Sequence, residues 1–550
     1  MDFFTRGEFA PFFEVASGHA TQLAWLLVAC WLLVHARWIA RRAKESPGEA
    51  LTLLGLTAAA LALRLALPWG PLSFADAERV DALWSPRPSP CASMCTVPVV
   101  ASLAQRAGAS VAAILRYAPP IFGALGVAAT YLFARASGVR PPSAALAALV
   151  VLTWPSHLHF STSLTFSVEG AALWSFAFAV ALADRDRVPH RPALLAALAF
   201  LGTLARPEFR LMLVPLAGVV LAGRWRWRER VAFAALLALA LVTYLPYLRP
   251  SGNIGNTDLG RRFVPVMLGN AAMSPVWWFY LGAAGVIAGL ATSGRRLGGA
   301  ATAMSFAVLM AVYIRYTSES NPRWGQWRYF TTLVPFVAVA VALGADLLSH
   351  PRLGRARHAL LAPLFALAAY TLAANFEELR RAEDQAAEFA YLRETAGRVV
   401  ARRPDVLLLS NGGRQGLAHV RIEMEPRMAI ATVVGPLDLP TGCAAGAASA
   451  PRLRDLETVV AECPESISPE RSVLYLGLAR IEERVEAIER RFELIPLEER
   501  SLDVVVTSLV INRQASDGHS GLGDLEGLDN PDVTVRLGWY RLVPRRGPGR

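Results

Sequence analysis

The chain is almost without lysine: Lys44 is the only one among 550 residues, so arginine carries nearly all of the basic charge. That skew fits the codon bias of a GC-rich genome better than any chemistry. Charge of either sign is scarce, with 18% charged residues against 54% apolar and a mean hydropathy of +0.36. Polar stripes are scarce too. Runs such as VAFAALLALALVTYL (231–245) and LVPFVAVAVALGADLL (333–348) offer almost nothing for water to solvate, which excludes an ordinary soluble helical protein. Neither G-x-x-x-x-G-K-[ST] nor G-x-G-x-x-G occurs. SNGGRQG (410–416) matches neither pattern and reads as a turn. A cleavable leader is also missing, because Asp2, Arg6, Glu8 and Glu14 interrupt the start, so the first apolar run is expected to stay as an anchor.

What is present is a series of apolar runs from about residue 20 to residue 375, followed by a tail of soluble composition. The candidate spans are 20–36, 51–67, 117–134, 143–158, 168–183, 192–205, 208–223, 231–248, 276–292, 299–315, 329–348 and 358–375. The expected architecture is therefore a polytopic all-α membrane domain of about 11–12 transmembrane helices and a C-terminal α/β or α+β domain. Its boundaries are an N-terminal segment 1–19, a multi-span domain 20–375 containing an outer loop 68–116, and a soluble domain 376–550.

The net charge of +11 might suggest nucleic acid, but its placement excludes that partner. Basic residues gather in alternate short connections: Arg37, Arg41, Arg42 and Lys44; Arg135 and Arg140; Arg185, Arg187 and Arg191; Arg224, Arg226, Arg228 and Arg230; Arg295 and Arg296; Arg352, Arg355 and Arg357. The positive-inside rule puts these turns in the cytoplasm. Loops 68–116, 249–275 and 316–328, the segment 1–19 and the tail then face outward. Segment 1–19 reads as an amphipathic surface helix there.

Cysteine is sparse, at five residues. Cys30 lies in an apolar span, while Cys91, Cys95, Cys443 and Cys463 map to the outer side, where disulfides persist. Cys91–Cys95 and Cys443–Cys463 are the simplest pairs, although four cysteines allow three connectivities. A zinc site is the rival, and no histidine has suitable spacing for it.

In the tail, FAYLRETAGRVVARR (389–403) and IEERVEAIERRF (481–492) have helical periodicity. DVLLLS (405–410), RMAIATVVG (427–435), SVLYLGL (472–478), DVVVTSLVI (503–511) and VTVRLGWYRLV (533–543) read as strands. The acidic GDLEGLDNPD (523–532) lacks the EF-hand spacing for calcium and reads as a solvated loop.

The chemistry-bearing residues converge on the outer side. PWGPLSFADAERVDALW (68–84) places Asp76, Glu78 and Asp81 just outside the second span. There a carboxylate avoids the roughly 2.5–3.5 kcal/mol that Asp costs at a helix centre. Arg64, three residues before that span ends, is expected to snorkel outward or pair with these acids. HLHFSTSLTFSVEG (157–170) supplies His157, His159 and Glu169; ARPEFR (205–210) supplies Arg206, Glu208 and Arg210; SESNPRWGQWRYF (318–330) supplies Arg323, Arg328 and Tyr329. Acids, phosphate-binding cations and aromatics on one side suggest an extracytoplasmic site for a phosphorylated, membrane-borne substrate.

The span ending in Arg, the Asp-x-Glu of the first outer loop and the stretch 116–179 (RYAPPIFGALGVAATYLF through GAALWSFAFA) carry a family resemblance. With LARPEFRLML (204–213) and WRYFTTLVPF (327–336), they resemble the C-type (GT-C) glycosyltransferases. The branch is that of the protein O-mannosyltransferases and the bacterial lipid A aminoarabinose transferase. The resemblance covers roughly residues 51–350. It implies a multi-pass enzyme of the bacterial inner membrane with a GT-C-like fold and a polyprenyl-phosphate sugar donor. The acceptor, whether protein, glycan or lipid, is left open.

The resemblance gives Asp76 the role of general base or acceptor-orienting carboxylate, with Glu78 and Glu169 as further acids. The donor phosphate falls to Arg64, Arg206, Arg323, Arg328 and Tyr329. No cofactor is required, although some relatives use a divalent ion such as Mg or Mn, which Asp76 and Glu78 would hold. Two features depart from the family pattern: Ala77 separates the two acids, and an additional helix, 20–36, precedes the usual first span. The first leaves open which acid is the base.

Each residue also has a plainer role available. Asp76, Glu78 and Asp81 are also readable as a solvated loop, and Glu169 as a carboxylate at its helix N-terminus. Arg206 has a structural partner at hand in Glu208. His157 and His159 read as interfacial packing rather than metal ligands, and Arg323 and Arg328 as headgroup anchors beside the belt residues Trp324 and Trp327. A transporter or lipid flippase is the rival function. It would show inverted repeats and ionisable residues at the bilayer midplane, whereas here the charges sit at span ends. A catalytically silent relative is the third reading.

Overall fold

The computed structural model describes residues 10–67, 96–109, 111–162, 167–184, 188–244, 275–316, 330–349, 353–354 and 356–381. In the tail it describes 391, 394–395, 398, 407–410, 432–433, 472–476, 489, 492–505 and 532–545. It divides into two compact units, one helical and one built on a sheet.

The helical unit runs through α1 (Ala10–Val34), α2 (Ala36–Glu45), α3 (Pro47–Ala66), α4 (Thr96–Arg106), α5 (Val111–Ala136), α6 (Pro141–Thr153), α7 (Pro155–Phe160) and α8 (Ser167–Leu182). It continues with α9 (Arg191–Ala205), a 3-10 turn (Pro207–Met212), α10 (Leu213–Ala222), α11 (Trp227–Val242), α12 (Val276–Ala291), α13 (Arg296–Tyr316), α14 (Val334–Leu348) and α15 (Ala356–Arg381). Proline stands in the first turn of α3, α6, α7, α9, the 3-10 segment and α14, where its missing N–H costs nothing.

Among the described residues, four helices are long and apolar enough to cross a membrane: Val15–Val34, Pro47–Ala66, Arg116–Ala136 and Arg296–Ile314. Six shorter apolar helices accompany them. Leu33, Leu51, Leu239, Tyr280 and Ile287 are exposed, as lipid-facing side chains of a membrane protein are.

Three details depart from the sequence reading. Residues 10–19 form the first turns of α1 rather than a separate surface helix. The basic turn 37–44 is itself a helix, α2, strongly amphipathic and without a buried residue, which suits the membrane interface. The span expected at 143–158 breaks at Trp154, because Pro155 cannot continue α6 and opens α7 instead.

One end of the helical unit is closed by charge. Arg135, at the end of α5, donates from Nε (3.1 Å) and Nη2 (3.0 Å) to Glu49 at the start of α3. Asp346, at the end of α14, is fully buried. Its Oδ1 accepts the Arg140 backbone N–H at 2.7 Å and the Ser349 hydroxyl at 3.1 Å, and its Oδ2 pairs with Arg295. Gly138, at φ +83°, lets the α5–α6 turn pass close to the Gly294 carbonyl and brings these groups together. Arg191 at the start of α9 donates to the Val180 and Ala181 carbonyls that end α8, and its guanidinium lies 3.8 Å from the Trp225 ring centre. Arg135, Arg140, Arg191 and Arg295 thus each tie one helix end to another element.

The second unit holds β1 (Leu407–Ser410), β2 (Thr432–Val433), β3 (Ser472–Leu476), β4 (Phe492–Val505) and β5 (Asp532–Pro544), in the order β2-β1-β3-β5-β4. β1 is parallel to β2 and β3, while β5 is antiparallel to β3 and β4. Phe492 opens β4 rather than ending a helix, and the strand expected at 503–511 begins eleven residues earlier. Pro496 and the acidic run after it masked this strand; the sheet accommodates them with a bulge between Pro496 and Glu498. Within this unit Trp539 Nε1 donates to Thr395 Oγ1 at 2.6 Å, and Tyr391 Oη donates to the Glu498 carbonyl at 3.1 Å.

Candidate active site

The opposite end of the helical unit gathers the polar residues of α3, α5, α7, α8 and the α9–3-10 junction. Arg64 sits in the last turn of α3 and is buried. It turns inward rather than snorkelling outward, and two neutral acceptors meet its Nη groups. Nη1 donates to the Ala60 carbonyl at 2.9 Å and Nη2 to His157 Nδ1 at 2.8 Å. Arginine only donates, so His157 must accept at Nδ1, which makes it a neutral ring with its proton on Nε2. Ser161, one turn on, lies 3.4 Å from the same Nδ1, and its hydroxyl also meets the His157 carbonyl.

The α5 face opposite this pair is glycine. A Cβ on Gly123 would lie 2.5 Å from Arg64 Nε and 2.6 Å from Ser161 Oγ, so only glycine fits. One turn further along, Gly126 faces His157 Nε2 and Ala172 of α8, at 3.4 and 3.7 Å from a notional Cβ.

Ser167 and Glu169 form the first turn of α8, and both are fully buried. A carboxylate there gains from the helix dipole, so the capping position foreseen for Glu169 is the one it occupies. Arg206, extended at φ −155°, ψ 151° between α9 and the 3-10 turn, donates to Ser167 Oγ at 2.9 Å and pairs with Glu208. Gly170 lets the Phe209 ring and Ala205 lie directly on α8.

Of the residues singled out in the sequence, Arg64, Glu169 and Arg206 are thus brought to one end, with Arg206 two residues from Glu169 through Ser167. Asp76, Glu78, Arg323, Arg328, Tyr329, Cys91, Cys95, Cys443 and Cys463 lie outside the described residues. Cys30 is exposed and unbonded. No group of three or more His, Cys, Asp or Glu suited to a metal occurs among the described residues, and the expectation of a metal on Asp76 and Glu78 falls outside them.

His157, singled out in the sequence but read as interfacial packing, is bonded to a buried guanidinium, and Ser161 four residues on and the glycines three apart at 123 and 126 were its signals.

No family model matches the sequence, and no curated protein matches it. Solved structures do. The chain is similar to ArnT from Cupriavidus metallidurans bound to undecaprenyl phosphate, at 12% identity and a TM-score of 0.52, covering 81% of this chain and 96% of that one. The apo form of the same protein matches at 14% identity and a TM-score of 0.51, over 81% and 95%. The chain spans 64% of the Archaeoglobus fulgidus oligosaccharyltransferase that it also matches, at 13% identity and a TM-score of 0.43. The fold is therefore that of the GT-C glycosyltransferases.

Proposed function

We propose that this protein is a membrane glycosyltransferase that moves a sugar from a polyprenyl-phosphate donor to an acceptor on the extracytoplasmic side. The observation that carries this reading is the fold shared with ArnT over four-fifths of the chain, in a structure bound to undecaprenyl phosphate. The buried acid and arginine at one end of the helical unit suit the same chemistry.

In this reading Asp76, with Glu78 beside it in sequence, takes the proton from the acceptor. The acceptor atom forms its bond to the anomeric carbon while the bond from that carbon to the phosphate oxygen breaks. Polyprenyl phosphate leaves with the electron pair. Arg206, Arg323 and Arg328, with Tyr329, offset the charge growing on the phosphate, where a single well-placed donor is worth about 3–4 kcal/mol. Glu169 is the second acid. The tail from residue 376 is an extracytoplasmic domain, with Cys91–Cys95 and Cys443–Cys463 as its side's disulfides. Arg64, the fifth residue assigned to the donor phosphate, is held from within by the Ala60 carbonyl and His157.

The test is transfer from a panel of radiolabelled polyprenyl-phosphate sugars into membrane extracts, comparing wild type with Asp76→Asn at equal expression. Loss of transfer in the variant supports the reading. Unchanged transfer moves the base to Glu78 or Glu169, and no transfer from any donor by the wild type ends it.

A further inference from the structure

The connection between α1 and α3 is a charged helix rather than a bare turn. α2 joins two helices that are each long and apolar enough to cross a membrane, so its ten residues lie at a membrane face. ARWIARRAKE sorts onto two stripes. Ala36, Ile39, Ala40 and Ala43, at i, i+3, i+4 and i+7, make an apolar one, while Arg37, Arg41 and Lys44, at i, i+4 and i+7, make a basic one. Arg37, Arg41 and Lys44 are all exposed. The acids nearest in sequence are already engaged, Glu45 by Arg42 at 2.8 Å and Glu49 by Arg135 at 3.0 Å. Among the described residues no ion pair takes up Arg37, Arg41 or Lys44.

α2 is held at its α1 end. The Trp38 ring packs edge-on against Trp31 at 6.1 Å and lies 5.9 Å from the Arg42 guanidinium carbon. Trp31 Nε1 donates to the Pro189 carbonyl at 2.7 Å, and the His35 ring sits 5.4 Å from that of His190. These contacts tie the α1–α2 joint to the turn that precedes α9. To either side the adjoining spans are bare: Leu32, Leu33 and Val34 end α1, Leu51 and Leu54 lie near the start of α3, and all five are exposed. Three exposed cations thus stand between two sets of exposed aliphatic side chains.

The apolar stripe of α2 is too small to hold it to a bilayer unaided, since Ile39 is its one large side chain and the rest are alanines. Charge has to supply the remainder. Each Arg or Lys beside an anionic lipid surface raises affinity about fivefold, and three compound to about 100-fold.

We infer that α2 and the adjoining ends of α1 and α3 form a binding site for anionic phospholipid. Arg37, Arg41 and Lys44 take the headgroup phosphate, and the exposed leucines take the acyl chains. A zwitterionic headgroup offers the same phosphate but carries its own cation, which the basic stripe repels, so the site selects for net negative charge. This site is independent of the transfer reaction.

The experiment uses the full chain, purified in a neutral detergent and titrated with phosphatidylglycerol or phosphatidylcholine of identical acyl chains, with bound lipid counted by native mass spectrometry. Wild type is expected to bind phosphatidylglycerol about 10–100-fold more tightly, and Arg37→Gln/Arg41→Gln/Lys44→Gln to bring that preference within about twofold. Arg224→Gln/Arg226→Gln/Arg228→Gln removes three exposed arginines where the chain enters α11 and is expected to leave the preference unchanged. Arg37→Lys/Arg41→Lys/Lys44→Arg keeps the charge and should hold it within about threefold of wild type. Lys44 allows a check without any variant. It is the chain's one lysine, so amine acetylation of the folded wild type removes one of the three cations and should lower the preference about fivefold.

A wild type that binds both lipids equally overturns the inference. Equal loss in the two neutralising variants does so too, because the preference would then belong to diffuse surface charge rather than to α2. A preference unmoved by acetylation, with modification confirmed by the mass of the peptide that carries Lys44, also overturns it, and that result is readable even where the triple variant does not fold.

Discussion

The two ends of the helical unit treat charge in opposite ways. At the end that the charge pattern assigns to the cytoplasm, acids and arginines distant in sequence close on each other: Glu49 with Arg135, and Asp346 with Arg140 and Arg295. At the other end, among the described residues, Arg206 pairs with Glu208 two residues away, and Arg64 bonds the neutral Ala60 carbonyl and His157 ring. The first arrangement joins helices and is a stability device. The second buries an arginine against a carbonyl and a neutral ring, which ties α3 to α7 without an ion pair.

Breaking the closed end should have the largest effect. Asp346→Ala leaves Arg295 and Arg140 facing an empty buried position and should cost about 3–5 kcal/mol, read as a large drop in thermal unfolding temperature in detergent. A change under about 1 kcal/mol would mean that this end is as loosely coupled as the other.

The next test sharpens the comparison at the polar end. Gly123→Ala puts a methyl against Arg64 Nε and Ser161, so overpacking should cost about 1–3 kcal/mol, read by the same thermal melts. Gly55→Ala on the exposed face of α3, where nothing lies within 4 Å, is the control. It should be neutral or stabilising by up to about 1 kcal/mol. The smallest effect is expected from Glu49→Gln, because the Glu49–Arg135 pair is part-exposed. About 0–1 kcal/mol is the range for such pairs, measured by the same melts with and without added salt.

Much of this contrast was legible in the sequence. Hydropathy gave the helices, and proline marked where six helical segments begin. The end-closing role of Asp346 was not legible, since an acid inside LVPFVAVAVALGADLL differs from a stray charge only once Arg140 and Arg295 are seen to converge on it. Glu169 and Arg206 could be singled out by their position at span ends. His157 was singled out with them, but its bond to Arg64 was not legible, because that partner lies ninety-three residues earlier. β4 was hidden by Pro496 and a run of acids that look wrong for a strand interior, which the antiparallel pairing with β5 tolerates at a bulge.

The Asp346 cluster also imposes an order on biosynthesis. Arg140 is made 206 residues before the carboxylate that receives it. At about 5–20 residues per second, that is a wait of about 10–40 s. Arg295 arrives in between, bringing a second positive charge and no acid. Until α14 emerges, the turns at 140 and 295 repel each other, and that end is held only by earlier contacts such as Glu49–Arg135. The last third of the membrane-embedded chain therefore completes the first, and a ribosome that stops short of residue 346 releases a set of correctly inserted helices that lacks the carboxylate meant to close it.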